Sequence, residues 1–344
     1  MNVILLSGGS GRRLWPLSGD VRSKQFIPVF RRDDGSYESM VQRMYRQIRA
    51  VDPDAKVTVA TAGFQAGLLK EQLGEEVGIS IEPERRDTFP AIVLATAYLK
   101  DKMSISDDDS VVVCPVDPYV EEDYFRALSV LSERAKSGSA NLVLMGMEPT
   151  YPAEIFGYVI PETSDEISRV SSFKEKPDEK TAREFIEKGA LWNGGVFAYR
   201  IGYMMEKAKE ITGYGDYKEL FDNYASLTKI SFDYAVAEKE SSIEILRFGG
   251  RWEDLGTFDT LTGALAMDVL GRKEGTDELR SGALIGDALL DETCENVHVL
   301  NETDMPVLAM GLKNVVIALS KDGLLVADKD AAPGSKKYVD RILG

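Results

Sequence analysis

The residues with the clearest chemical potential open the chain. Gly8-Gly9-Ser10-Gly11 is followed directly by Arg12 and Arg13. A glycine loop of this kind lets backbone N–H groups approach a phosphate closely, and the arginines add positive charge. It is not a P-loop, because Gly-Lys-Ser/Thr is missing, and it lacks the third glycine of a dinucleotide fingerprint. Taken alone, it reads equally well as a tight turn. The histidine content removes other chemistries. His298 is the sole imidazole, so a zinc site of several histidines is impossible, and a Ser-His-Asp or Cys-His triad could draw on that residue only. Catalysis must then rest on carboxylates, Lys, Arg, backbone amides and, where one binds, a metal.

Such residues need elements to position them. Residues 2–7 form an apolar run ending at the glycine loop, which predicts a buried strand feeding a turn. Met40, Val41, Met44, Tyr45 and Ile48 recur at helical spacing. Runs at 57–62, 79–82 and 110–114 predict further buried strands, with helices at about 64–73 and 90–102 between them. A helix near 121–137 and a strand at 140–147 continue the alternation. The expected fold is therefore α/β, a Rossmann-like, mainly parallel sheet with flanking helices. From residue 157 the pattern is more mixed, with strands expected at 157–161, 169–174 and 196–199 and a helix capped by Asp178. After a helix near 258–268 the polar stretch 271–282 reads as a linker. The domain reading is thus 1–270, the linker 271–282, and a small β-rich domain at 283–344. A β-helix is one arrangement open to that tail, although no sequence repeat argues for it.

Composition narrows the partners. The chain has 344 residues and a formal net charge of −16, which disfavours non-specific nucleic acid and anionic membrane surfaces. Basic contacts to an anionic substrate must then be concentrated locally. Cys114 and Cys294 lie far apart in unlike contexts, so no disulfide framework is indicated and a reducing compartment is expected. No apolar run reaches the ~18 residues of a membrane span, and residues 1–6 lack a signal peptide's architecture. The expected location is the cytoplasm.

Continuing past the loop, Leu14-Trp15-Pro16-Leu17-Ser18 and then Lys24-Gln25-Phe26 make the opening specific. The stretch resembles the signature of the sugar-phosphate nucleotidylyltransferases, most closely the mannose-1-phosphate guanylyltransferases. Later segments agree in order: Glu82-Pro83 with Arg86-Asp87-Thr88-Phe89-Pro90-Ala91, Pro115-Val116-Asp117, and Phe173-Lys174-Glu175-Lys176-Pro177. Trp192-Asn193-Gly194-Gly195-Val196-Phe197, Phe232-Asp233-Tyr234-Ala235-Val236 and Trp252-Glu253-Asp254-Leu255-Gly256 complete the set.

The resemblance implies an enzyme that joins a nucleoside triphosphate, in this branch GTP, to a sugar 1-phosphate such as mannose 1-phosphate, giving GDP-mannose and pyrophosphate. By the same resemblance, Gly8, Gly9 and Gly11 would hold the nucleotide, with Glu82 and Asp87 beside the base. Arg13 and Lys24 would be the catalytic cations that offset the triphosphate's charge. Asp117 and Asp254 would bind Mg²⁺, which favours carboxylate and phosphate oxygens. Gly157, Glu175, Lys176 and Asn193 would take the sugar phosphate. Plainer readings stand beside these: Asp117 as a turn residue before Pro118, Asp254 as a solvated loop acid, Glu175-Lys176 as an exposed charge pair, Asp87 as a helix cap. The chain departs from the family pattern at Arg12 (commonly threonine), Asp87 (commonly asparagine), Pro118 (usually histidine) and Gly194 (often serine).

Other classes are weighed against this one. The family could act on another base or sugar. A nucleotide-sugar-dependent glycosyltransferase would use an Asp-x-Asp motif, and Asp107-Asp108-Asp109 contains one, but ahead of a strand rather than after it. A non-catalytic regulatory subunit could dispense with Arg13, Lys24, Asp117 or Asp254, yet all are present. A homo-oligomer is compatible with the sequence.

Overall fold

The computed structural model describes residues 1–8, 12–19, 22–272 and 283–342. Its contacts gather into two compact units. One comprises Met1–Gly8, Tyr45–Val116 and Val120–Trp252; the other comprises Gly9–Met44, Asp117–Tyr119 and Glu253–Gly344. The expected linker 271–282 falls, from residue 273 on, outside the described residues.

The first unit is built on a nine-stranded sheet. In space the strands run Gly78–Glu82, Lys56–Ala62, Asn2–Leu6, Ser110–Pro115, Leu191–Arg200, Leu142–Met147, Ile243–Phe248, Ile167–Lys174 and Gly157–Pro161. The first four are mutually parallel, as the alternation of strands and helices predicts. Beyond them two strands depart from the expected parallel direction. Leu191–Arg200 runs antiparallel to both Ser110–Pro115 and Leu142–Met147, and Ile167–Lys174 runs antiparallel to both its neighbours. The sheet is mixed. For Gly157–Pro161 and Ile167–Lys174 the cause is local: residues 162–166 leave too short a connection for the crossover that parallel neighbours require, so the two strands form a hairpin-like pair.

Helix Thr88–Met103 shows why this unit has a deep core. Every residue from Phe89 to Ala97 is buried, and a helix apolar on all sides can only be covered on all sides. It packs against helices Ile201–Thr212, Tyr217–Asp222 and Phe232–Ala235, three short elements absent from the sequence reading. The last of them carries Asp233.

The second unit joins the residues after the first strand to the chain's last segment. It holds the single turns Arg12–Leu14 and Lys24–Phe26, the hairpin Pro28–Arg31 with Tyr37–Ser39, helix Phe258–Arg272 and, among the described residues from Ala283 on, six short strands. Ala283–Ile285, His298–Asn301 and Val315–Ser320 form a parallel ladder, which Gly323–Asp328 extends antiparallel. Ala288–Leu290 pairs in parallel with Val307–Ala309. Leu14, Leu17, Ile27, Phe30 and Met40 share one buried core with Ile285, Leu300, Val316 and Ala318. Among the described residues no helix is long and apolar enough to cross a membrane.

Candidate functional site

Within the second unit one cation gathers two acids. Lys24, on the turn Lys24–Phe26, places Nζ 2.7 Å from Asp117 Oδ2 and 3.7 Å from Asp254 Oδ1. It also lies 3.4 Å from the Leu255 carbonyl oxygen. Burial raises the Asp254 pKa above the usual carboxylate range; Lys24 opposes the shift, Asp117 adds to it, and Arg13 opposes it again. Arg13 itself is exposed on the turn Arg12–Leu14. Two carboxylates converging on one positive charge suit Mg²⁺, which is commonly held by one or two carboxylates, with substrate phosphates and water completing its shell. Among the described residues no cluster of three or more acidic, histidine or cysteine ligands occurs. The ammonium of Lys24 occupies the position between the acids that a cation would take.

Within the first unit a second polar cluster forms on three strands. Antiparallel register sets Asn193 opposite Gly157 and Lys174 opposite Tyr158, bringing Glu175, just past its strand, toward the same place. Glu175 is 5 % exposed, and its Oε2 is buried without a hydrogen-bond partner. An orphaned buried carboxylate oxygen calls for a donor, because leaving it unpaired is costly. Gly157 is required by this carboxylate: a Cβ there would stand 2.4 Å from Glu175 Oε2 and 3.3 Å from the Asn193 side chain. Lys176 adopts φ +47°, an unusual backbone for a side-chain-bearing residue, and its ammonium pairs with Glu175 Oε1. Burial works against that ammonium's charge, but Glu175 and the nearby Asp233 outweigh it and raise its pKa.

Asp233 is the residue the sequence reading leaves without a role. Its Oδ1 accepts a 2.6 Å hydrogen bond from Asn193 Nδ2. Burial, then the charge of Glu175, pushes its carboxyl up to about 6, with Asn193 and Lys176 pulling the other way. Asn193 Oδ1 in turn accepts from the Gly195 N–H at 3.2 Å. The Asn193 amide is therefore oriented by the chain, with one N–H and one lone pair left for a ligand. The signal for Asp233 lay in its motif, Phe232 to Val236, not in any local pattern. Gly194 faces Met147, where a Cβ would meet Cε at 2.6 Å.

The other residues singled out in the sequence are more scattered. Glu82 ends strand Gly78–Glu82 and accepts from Tyr224 Oη at 2.9 Å, while burial raises its pKa. Asp87 caps helix Thr88–Met103, accepting from the Thr88 N–H at 2.8 Å, and holds φ +69°. Gly8 is exposed just after the first strand, whereas Gly9 and Gly11 lie outside the described residues. Asp107 and Asp109 sit on a turn and pair with Lys100 and Lys136, the arrangement of a solvated polar turn rather than a metal motif.

Known proteins are similar to this chain in sequence and architecture. Residues 2–269 match the family model for nucleotidyl transferases. Mannose-1-phosphate guanylyltransferase of Escherichia coli is 29% identical over 366 residues, covering 98% of this chain and 75% of that one. Alginate biosynthesis protein AlgA of Pseudomonas syringae pv. tomato is 30% identical over 367 residues, covering 98% and 71%. The crystal structure of mannose-1-phosphate geranyltransferase from Thermus thermophilus superposes with a TM-score of 0.78 at 27% identity, covering 100% of this chain and 99% of that one.

Proposed function

The chain belongs to the nucleotidyl transferase family, and on that premise we propose that this sugar-phosphate nucleotidyltransferase joins GTP to mannose 1-phosphate, giving GDP-mannose and pyrophosphate. An oxygen of the sugar's phosphate attacks the α-phosphorus of the triphosphate. The new P–O bond forms as the bond to the bridging oxygen breaks, and the electron pair leaves on pyrophosphate. Both reactants are anions, so alignment and charge neutralisation are the main tasks, with no need for a covalent nucleophile.

The residues suit those tasks. Arg13 and Lys24 offset triphosphate charge, and Lys176 meets the sugar's phosphate. Asp117 and Asp254 would hold Mg²⁺, which when bound would offset phosphate charge. Glu175 accepts sugar hydroxyls, and Asn193, oriented by Asp233, can both donate and accept. The observation that carries the reading is the unpartnered Glu175 Oε2 beside the Asn193–Asp233 pair, with the Lys176 ammonium adjoining. Buried acceptors for hydroxyls and a cation for phosphate, in one cluster, are what a sugar phosphate requires.

Mannose and guanine are favoured by the similarity to proteins named mannose-1-phosphate guanylyltransferase. Guanine's N1–H and N2–H₂ match a carboxylate acceptor, and Glu82 already takes one hydrogen bond through Oε2, which leaves Oε1 for a base. A wrong base would leave that acceptor unpaired, at a cost of roughly 1–3 kcal/mol. A competition assay with equal GTP, ATP, UTP, CTP and dTTP, and then with a panel of sugar 1-phosphates, tests the assignment. Preference for another base or sugar would defeat the GTP–mannose reading and leave the family untouched.

A further inference from the structure

We propose that the C-terminal strands clamp the segment running from Arg13 to Lys24, making Glu302 and Ser320 positioning residues for the two cationic side chains at its ends. The roles of Arg13 and Lys24 in this inference rest on the functional reading above.

Three grips fall between those residues, all within the second unit. The guanidinium of Arg22 donates two parallel hydrogen bonds to Glu302, Nη1 to Oε2 at 2.9 Å and Nη2 to Oε1 at 2.8 Å. Bidentate pairing of this kind fixes orientation as well as contact. Ser320 Oγ, buried, donates to the carbonyl oxygen of Pro16 at 2.6 Å. The ring of Trp15 lies so close to Gly323 that a Cβ there would stand 2.7 Å from two ring atoms. Leu14 and Leu17 are sunk into the core shared with Leu300, Val316 and Ala318, so these two positions are held by apolar burial as well.

The jaws of this clamp are themselves fixed. Asn301, 2 % exposed, ties the turn that presents Glu302: its amide donates to the carbonyls of Asp287 and Met305, and its Oδ1 accepts from Thr303 N–H and Oγ1. The Glu302 N–H donates to Leu319 O at 2.8 Å. Ser320 Oγ also accepts from the Asp322 N–H at 3.1 Å. A carboxylate and a hydroxyl tethered on both sides can transmit placement to residues 16 and 22, and through them to the flanking charges. Catalysis by charge placement is sensitive to such support, since ~1 Å of misplacement can cost ~100-fold in rate.

The test uses the full chain with Glu302→Gln, Ser320→Ala, and the reversed pair Arg22→Glu with Glu302→Arg. Pyrophosphate release is followed with GTP, mannose 1-phosphate and Mg²⁺. Each single variant is expected to lower kcat/KM for the triphosphate about tenfold, an effect of partial misplacement, with the KM for mannose 1-phosphate within twofold of its original value. The reversed pair recovers most of the loss. Equal losses toward both substrates, or no recovery on reversal, overturn the clamp. If the unaltered chain releases no pyrophosphate with any triphosphate, the functional reading fails, and the clamp is then judged by limited trypsin digestion. Glu302→Gln is expected to speed cleavage after Arg13 and Arg22 several-fold, and unchanged cleavage overturns the proposal on its own terms.

Discussion

Asp233→Asn keeps the side chain's shape and an oxygen to accept the Asn193 amide, but removes a negative charge placed beside Glu175 and within the field of Lys176. In the folded protein burial and the Glu175 charge lift the Asp233 carboxyl from its usual 3.8 to about 6. The folded state therefore binds this proton more tightly than the unfolded chain. Above pH 6 both states are ionised here and the charge weakens the fold; as pH falls from 6 to 3.8 the folded state takes up its proton and the penalty disappears. At ~1.36 kcal/mol per pH unit, the gap corresponds to ~3 kcal/mol, and solvent access at this half-buried position trims it to ~2 kcal/mol. Asp233→Asn is thus expected to stabilise the protein by ~2 kcal/mol at pH 7–8 and hardly at all near pH 4. Urea denaturation of both proteins at several pH values from 4 to 8 measures the difference directly. The same variant should raise the KM for mannose 1-phosphate, since a neutral amide oxygen holds the Asn193 side chain more weakly than the carboxylate does. A stability gain that is absent at pH 8, or equal at pH 4 and pH 8, would refute the assignment of Asp233 as an anion destabilised by its surroundings.

Other expectations follow from the same geometry. Gly157→Ala forces Glu175 Oε2 away from a Cβ that would stand 2.4 Å from it, so the KM for mannose 1-phosphate should rise about tenfold or more, the scale of one lost charged hydrogen bond, with little change for the triphosphate. Steady-state kinetics varying each substrate would expose the opposite pattern. Asp117→Asn and Asp254→Asn should each cut turnover by about 100-fold or more with the circular dichroism unchanged; full activity of both variants, or of the parent in chelator, would remove the metal from the chemistry. Arg13→Ala should lower kcat about 100-fold, the effect of losing one electrostatic stabiliser, and a loss confined to KM would reduce Arg13 to general attraction.

Much of the local architecture is legible from neighbouring residues. The run at 2–7 that ends in a glycine loop, the largely apolar stretch through Phe89 to Ala97, and Asp178 ahead of Thr181 each carry their structural signal within a few positions. Asp178 does cap its helix, accepting from the Thr181 N–H at 2.8 Å. The reversed direction of Leu191–Arg200 was not legible, because strand direction depends on how the chain returns and not on the strand's own residues. Likewise Asp87 shows its capping role locally, but its positive φ does not show in the sequence.

What the sequence determined by itself was the inventory: a single histidine, a glycine loop followed by two arginines, two separated acids and an ordered set of motifs. The motif order also carried the family resemblance, because short segments that must contact one ligand constrain residue type and spacing together. Only the tertiary structure decided how members of that inventory are used. It drew Lys24 between Asp117 and Asp254, gave Glu82 to Tyr224, aimed Asp233 at Asn193 and set the C-terminal strands against the segment that holds Arg22. These pairs lie 40 to 280 positions apart along the chain. Side-chain partnership at such separations is set by sheet register and shared burial, which depend on the whole chain's packing rather than on any local run of residues.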